Sequence, residues 1–124
     1  MAKKVVIVGG VAGGASVAAR VRRLDENAEV IMFEKGPNVS FSNCALPFFL
    51  SRIVPESENL VLMTPERFKK QYNIIAKTSH EVLAVDSSKK IVKVKDLNTG
   101  TEFEESYDVL VLSPGAAPVV PRSI

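Results

Sequence analysis

The sequence predicts an α/β fold in which crossover helices flank a central parallel sheet and a three-stranded antiparallel β-meander joins it. Residues 4–8 form a short apolar run closed by glycines, typical of a strand buried on both faces of a parallel sheet. Apolar residues then recur at i, i+4 and i+7, which predicts a helix over residues 12–24. A second apolar run, residues 29–34, completes a β-α-β unit of about 30 residues.

The remaining elements follow from turn and cap signals. Thr64 before Pro65 is typical of a helix start, and we expect a short helix to about Tyr72. Residues 73–77 are expected to form a third parallel strand, and the continuous apolar run 108–112 to return to the sheet. The meander is expected over residues 80–85, 91–95 and 101–106, which turn residues separate.

Length and charge exclude several classes of function. At 124 residues and a formal net charge of +2, the chain has the size of one globular domain and no strong case for binding nucleic acid or an acidic membrane. Its first apolar run is too short for a signal peptide or a membrane span, so we expect a cytoplasmic location. We assign residues 1–113 to one domain segment and the proline-rich residues 114–124 to a linker.

A dinucleotide-binding loop is predicted between the first strand and the first helix. The fingerprint G-x-G-x-x-G requires glycines at positions 9, 11 and 14, and Gly9 and Gly14 match it. Val11 stands where a missing side chain lets the backbone approach a pyrophosphate, and we expect Gly10 and Gly13 to compensate. The alternative is a glycine-rich turn of some other α/β protein.

The second predicted strand ends in a carboxylate. Glu34 stands twenty residues beyond Gly14, where an acidic side chain accepts hydrogen bonds from a ribose diol. The same geometry serves FAD and NAD, so the loop and the acid leave the choice of nucleotide open.

The only cysteine lies in a segment that must turn. Pro47 tolerates only the first turn of a helix, so a helix over residues 46–51 is expected to begin near Asn43 or Cys44, with Ser42 or Asn43 as its cap. The sulfur would then lie at a helix N-terminus, where unpaired N–H groups favour a thiolate. The alternative is an inert cysteine buried between two phenylalanines.

Two further features have less specific interpretations. Ser16, Arg20 and Arg23 share one face of the predicted first helix, which suits either phosphate recognition or simple solvation. His80 is the lone histidine, and no carboxylate cluster stands at metal-ligand spacing. We therefore expect no metal site, and a surface strand position for His80.

Three segments together resemble the single-cysteine flavoprotein disulfide reductases: the glycine loop through Ser16, the Glu34-Lys35-Gly36 strand end, and the run from Ser40 to Pro47. The resemblance extends to residues 113–116 and is nearest to the coenzyme A-disulfide reductase and NADH-dependent persulfide reductase branch. It implies a Rossmann-like FAD-binding domain, NAD(P)H as electron donor through a domain beyond the linker, and a homodimer.

The resemblance also implies site residues. Cys44 would be the redox nucleophile that attacks the sulfur of a coenzyme A-type disulfide or persulfide. A family lysine expected near residues 70–72 has no clear match: Tyr72 stands about there, with Lys69 and Lys70 close by. The implied FAD contacts are Gly9, Gly10, Ala12, Gly13, Gly14, Glu34, Lys35, Val82, Ser113 and Gly115, and the implied coenzyme A contacts are Ser16, Arg20, Arg23, Ser40 and Asn43.

Two alternatives of function remain at this point. One is an NADH oxidase or peroxidase, in which Cys44 would cycle through a sulfenic acid. The other is a non-catalytic nucleotide-binding module with a structural cysteine. The pattern Asn43-Cys44-x-Leu46-Pro47 favours the reductase.

Overall fold

A computed structural model describes residues 2–123, which form seven strands and three α-helices. The helices are α1 (Ala12–Leu24), α2 (Leu46–Leu50) and α3 (Pro65–Tyr72). The strands are β1 (Lys4–Val8), β2 (Glu29–Glu34), β3 (Ile75–Thr78), β4 (His80–Asp86), β5 (Ile91–Asp96), β6 (Glu102–Ser106) and β7 (Val109–Leu112).

The strands divide into two sheets. The first is parallel throughout, in the order β3-β2-β1-β7, and the second is an antiparallel meander in the order β4-β5-β6. Strand β1 is central, and β7 reaches its free edge from the far end of the chain. The predicted fold class is confirmed.

The parallel sheet is covered on both faces, which explains its continuous apolar strands. Alternate side chains of β1 and β2 point to opposite faces, as the pleat requires. One face packs with Ala18 of α1 and Phe68 of α3, and the other packs with Val92 and Val94 of the meander. Two cores therefore form, one under the helices and one under the meander.

Helix α3 shows how local sequence sets an element. The Thr64 hydroxyl accepts a hydrogen bond from the Arg67 amide at 3.2 Å, Pro65 occupies the first turn, and Asn73 ends the helix with a φ of 52°. The third parallel strand begins at Ile75 rather than at residue 73, because this left-handed cap takes up the first predicted residues. Within residues 2–123, no helix is long and apolar enough to cross a membrane.

The expectation of a surface position for His80 is wrong. Its side chain is only 15% exposed, and its ring lies 6.2 Å from that of Phe33 and 6.1 Å from that of Phe103. Its Nδ1 atom lies 2.7 Å from the carbonyl of Thr78 and therefore carries a proton, because a carbonyl only accepts. The histidine is a half-buried part of the core between sheet and meander.

Candidate functional site

The glycine loop crosses the carboxyl ends of β1 and β7 at very close range. Gly9 has a φ of 95°, and a Cβ atom there would lie 2.0 Å from the carbonyl oxygen of Ser113. A Cβ at Gly14 would lie 1.7 Å from the carbonyl oxygen of Gly9. Neither position tolerates a side chain, so these two glycines seat the start of α1 directly over the edge of the sheet.

Gly10 does not compensate for Val11. A Cβ at Gly10 would lie 2.6 Å from Val39, which fills that space from the protein side. Gly13 instead faces the side chain of Ser113, since a Cβ at Gly13 would lie 3.2 Å from the Ser113 hydroxyl oxygen. The missing side chain of Gly10 thus serves internal packing rather than the approach of a ligand.

Helix α1 offers amides at its start. Its first intrahelical bond runs from the amide of Ala15 to the carbonyl of Val11 at 3.0 Å. The amides of Ala12, Gly13 and Gly14 therefore have no acceptor within the helix. Together with the helix dipole, they form an arrangement that suits a diphosphate.

Glu34 fastens the loop to the end of β2. Its Oε1 accepts a hydrogen bond from the Gly10 amide at 3.0 Å, and its Oε2 accepts one from the Gly36 amide at 2.8 Å. A carboxylate oxygen has capacity for a second hydrogen bond, so this side chain also remains able to accept from a ribose diol.

A cavity of about 210 Å³, here called the nucleotide cavity, lies beside Glu34. It is lined by the ends of β1 and β2, by Lys35, by residues 80–82 and by Pro114. Lys35 reaches Glu81 across its rim, with 3.4 Å between Nζ and Oε1. The cavity lies at the carboxyl edge of the parallel sheet, beside the central strand, where ligands bind in open α/β sheets.

Gly115 lies outside this cavity. It has a φ of 73°, and no atom lies within 4 Å of the place where its Cβ would be. The structure thus brings together Gly9, Glu34, Lys35 and Val82 around the nucleotide cavity, and leaves Gly115 in the irregular segment after β7.

The cysteine lines a second cavity, which shares no lining residue with the nucleotide cavity. Cys44 is exposed and lines a cavity of about 380 Å³, here called the thiol cavity. The other walls are Val11 and Ala12 at the start of α1, Ala15 and Ser16 one turn later, residues 40–43, and Leu62. The alternative of a cysteine buried between two phenylalanines is therefore wrong.

The local geometry of Cys44 differs from the predicted helix start. A 3-10 turn covers Asn43–Ala45, and the following α2 has only five residues. Neither Ser42 nor Ala45 caps these turns through its side chain. Cys44 thus lies inside a single tight turn, and a full helix dipole does not support its sulfur.

A third cavity, here called the arginine pocket, continues the thiol cavity along α1. Its volume is about 310 Å³, and it shares Ala15, Ser16 and Ser40 with the thiol cavity. Its further walls include Arg23, Met63, Phe68 and Tyr72. The two cavities therefore adjoin, and together they are here called the groove, with Cys44 in the wall of one and Arg23 in the wall of the other.

The three arginines of α1 are not equivalent. Arg23 lines the groove, whereas Arg20 lines none of the three cavities. Arg22, between them in number, donates hydrogen bonds of 2.7–3.1 Å to the carbonyls of Tyr72, Asn73, Asp25 and Glu26. It joins the ends of α1 and α3 and fixes the backbone of Tyr72.

Part of the groove wall comes from residues that the sequence does not mark as functional. Leu62, Met63 and Phe68 enter it from segments that have no dinucleotide-binding pattern, and nothing in their sequence signals this. The sequence indicates Ser42 only as a helix cap, yet its Oγ lies 3.6 Å from the Cys44 sulfur. The available signal is its position two residues before a cysteine in a segment forced to turn by Pro47.

Comparison with known proteins identifies the family. The profile of the pyridine nucleotide-disulphide oxidoreductases matches residues 3–124. The chain belongs to this family. Pyridine nucleotide-disulphide oxidoreductases bind FAD and use NAD(P)H.

Within this family, the chain is similar to coenzyme A disulfide reductases. The chain is 46% identical over 114 residues to the coenzyme A disulfide reductase of Staphylococcus aureus, strain JH9, and matches that of Staphylococcus haemolyticus equally. The alignment covers 92% of this chain and 26% of each relative, so the chain spans about a quarter of the length of these oxidoreductases.

Solved structures share the fold. Reduced CoADR-RHD of Bacillus anthracis superposes with a TM-score of 0.93 at 45% identity, covering 98% of this chain and 22% of that one. The NAD-dependent persulfide reductase of A. fulgidus gives 0.91 at 38% identity, covering 96% and 22%. A water-forming NADH oxidase of Lactobacillus brevis, bound to NADH, gives 0.89 at 31% identity, covering 98% and 27%.

Proposed function

We propose that the chain is the N-terminal FAD-binding part of an NAD(P)H-dependent flavoprotein that reduces a coenzyme A-type disulfide or persulfide through Cys44. One observation carries the proposal. Exposed Cys44 shares a cavity with the start of α1, and the nucleotide cavity is lined by Gly9 at the other end of the same glycine loop. A nucleotide bound across the loop would therefore bring its far end toward the thiol.

The residues at the loop fit FAD. The free amides at the start of α1 suit its diphosphate, and Glu34 suits a ribose diol. Lys35 and Val82 line the nucleotide cavity where an adenosine would lie, and Ser113 holds the far wall of the loop. In this proposal residues 1–113 form the first segment of the FAD domain, and residues 114–124 lead toward the NAD(P)H domain.

Cys44 acts as the nucleophile in the proposed reaction. Its thiolate attacks one sulfur of the substrate, so that the substrate S–S bond breaks while a bond between Cys44 and that sulfur forms. The other half of the substrate leaves as a thiolate, which keeps the electron pair and takes a proton from solvent. Bound FAD would supply the two electrons, received from NAD(P)H, that later reduce the mixed disulfide.

The groove offers contacts for a substrate with phosphate groups. Arg23 provides a guanidinium at its far end, and Ser16, Ser40 and Asn43 provide polar side chains between the arginine and the sulfur. The relatives at 46% identity are named coenzyme A disulfide reductases, and coenzyme A carries phosphate groups. Tyr72, near the place where the family resemblance implies a lysine, adds an aromatic wall to the groove.

A second candidate is an oxidase that reduces oxygen or peroxide through a sulfenic acid on Cys44. The observation in its favour is the 31% identity to the Lactobacillus brevis NADH oxidase, at a TM-score of 0.89. Both candidates use the same sulfur, and they differ in what the groove must recognise.

The full-length flavoprotein, supplied with NADH or NADPH, distinguishes the candidates. Coenzyme A disulfide, coenzyme A persulfide, hydrogen peroxide and oxygen are compared as sole electron acceptors, with nicotinamide oxidation as the readout. The proposal requires faster oxidation with a coenzyme A substrate. Oxidation with peroxide or oxygen alone supports the oxidase, and inactivity with all four contradicts both candidates.

A further inference from the structure

The hydroxyl of Ser42 faces the sulfur of Cys44. Their Oγ and Sγ atoms lie 3.6 Å apart, within the range of a hydrogen bond to sulfur, and both residues line the thiol cavity. Neither the family resemblance nor the predicted helix cap gives Ser42 a part in the chemistry. The contact between the two side chains therefore has no function in the reaction as described above.

The backbone of Ser42 is held more firmly than that of an ordinary loop residue. Its amide donates to the carbonyl of Leu60 at 2.7 Å, next to an antiparallel bridge between Phe41 and Val61. Its carbonyl accepts from the amide of Ala45 at 3.2 Å, which closes the turn around Cys44. The Ser42 hydroxyl thus projects from a fixed backbone toward the sulfur of Cys44, and the turn that contains Cys44 is closed by the carbonyl of Ser42.

We propose that Ser42 is a positioning residue that donates a hydrogen bond to the Cys44 thiolate and holds it toward the thiol cavity. The direction of this bond is fixed, because a thiolate has no proton and the hydroxyl must donate. A donor favours the charged form of its acceptor and directs the sulfur at the incoming disulfide. As the new S–S bond forms, the sulfur loses its charge and this bond weakens.

This inference deepens the proposed function and rests on Cys44 being the nucleophile, but its test needs neither flavin nor nicotinamide. The rate of alkylation of Cys44 by iodoacetamide is measured between pH 5 and 10 by mass spectrometry. The protein is compared with Ser42→Ala, Ser42→Thr and Ser51→Ala. Ser51 is the matched control, because its hydroxyl donates to the carbonyl of Phe48 in the same segment and lies outside the thiol cavity.

Ser42→Ala is expected to lower the rate of alkylation at pH 7 roughly threefold, because the hydrogen bond to the sulfur is lost. Ser42→Thr keeps the hydroxyl and is expected to retain the parent profile, and Ser51→Ala likewise. An unchanged profile in Ser42→Ala overturns the inference, as does an equal shift in Ser51→Ala. Alkylation and disulfide turnover are measured in separate assays. An unchanged alkylation profile in Ser42→Ala therefore leaves the proposed function standing, and a lack of disulfide turnover leaves the effect of Ser42 on alkylation measurable.

Discussion

The amide of Ser40 donates a hydrogen bond of 2.7 Å to the carbonyl of Gly10, and this bond ties the cysteine segment to the glycine loop. Ser40 has a φ of 53°, a left-handed conformation that a non-glycine residue rarely adopts. Its carbonyl accepts from the amide of Leu62 at 3.0 Å, so both backbone groups are fixed. Through this residue, the loop proposed to hold the nucleotide and the segment that bears the thiol form one unit.

Replacement of Cys44 by serine is expected to abolish reduction of the coenzyme A substrate while leaving FAD in place. A serine hydroxyl cannot form a reducible mixed disulfide with the substrate sulfur, so turnover should fall by about a thousandfold or more. The visible flavin spectrum and steady-state nicotinamide oxidation of the full-length enzyme measure the two effects. Retained turnover in the Cys44→Ser variant contradicts the assignment of the nucleophile.

Replacement of Glu34 by glutamine is expected to weaken FAD binding about tenfold. The amide that replaces one carboxylate oxygen faces a backbone N–H of Gly10 or Gly36, and one charge-assisted bond is lost. Flavin fluorescence titration of the apoenzyme measures the dissociation constant. Glu29→Gln, at the exposed opposite end of β2, is the control and should bind FAD as the parent does.

Arg23 and Arg20 are expected to differ in their effect on substrate binding. Because only Arg23 lines the groove, Arg23→Ala should raise the KM for coenzyme A disulfide about tenfold, and Arg20→Ala by less than about threefold. With pantethine, a disulfide that lacks phosphate groups, both variants should resemble the parent. An equal rise in KM for the two variants excludes the proposed path of the substrate.

Arg22 is expected to matter for stability rather than for substrate binding. Its guanidinium donates to four backbone carbonyls, so Arg22→Ala should lower the free energy of unfolding by about 2 kcal/mol. Urea unfolding at pH 7 measures this change. Arg20→Ala removes an exposed side chain of the same helix and should change the free energy by less than about 0.5 kcal/mol.

Asp86 is expected to make the meander turn sensitive to acid. The Ser88 hydroxyl donates to the Asp86 carboxylate and lowers its pKa from the ordinary value of 3.8, and the Lys89 amide has a smaller effect in the same direction. A lowered folded-state pKa contributes stability above the ordinary value, and the contribution is lost as the pH falls through the folded-state pKa. Asp86→Asn should therefore lower the melting temperature at pH 7 more than at pH 3, and an equal effect at both contradicts this.

The elements were predictable where one physical requirement acts alone. The apolar run of β1 has to be buried on both faces, and Pro65 after Thr64 has to start a helix, and both elements have the predicted start. The cysteine segment was harder, since the restriction imposed by Pro47 sets where a helical turn lies but not whether it is 3-10 or α.

The lining of the site depends on contacts between distant residues. Gly10 lies in the glycine loop, but the space beside it is filled by Val39, which the loop pattern does not include. His80 has the sequence surroundings of a surface strand, and only the meander folding over Phe33 buries it. The groove follows the same rule, because Tyr72 joins Arg23 only after α3 has packed against the sheet.

The contact between Gly9 and Ser113 makes the two ends of the described chain depend on each other. The loop after β1 is synthesised well before β7, yet its far wall is the end of β7. Pairing of such distant segments is slow compared with local folding. On the ribosome the loop therefore has no closed form until β7 has emerged, and capture of a nucleotide there would report that the parallel sheet is complete.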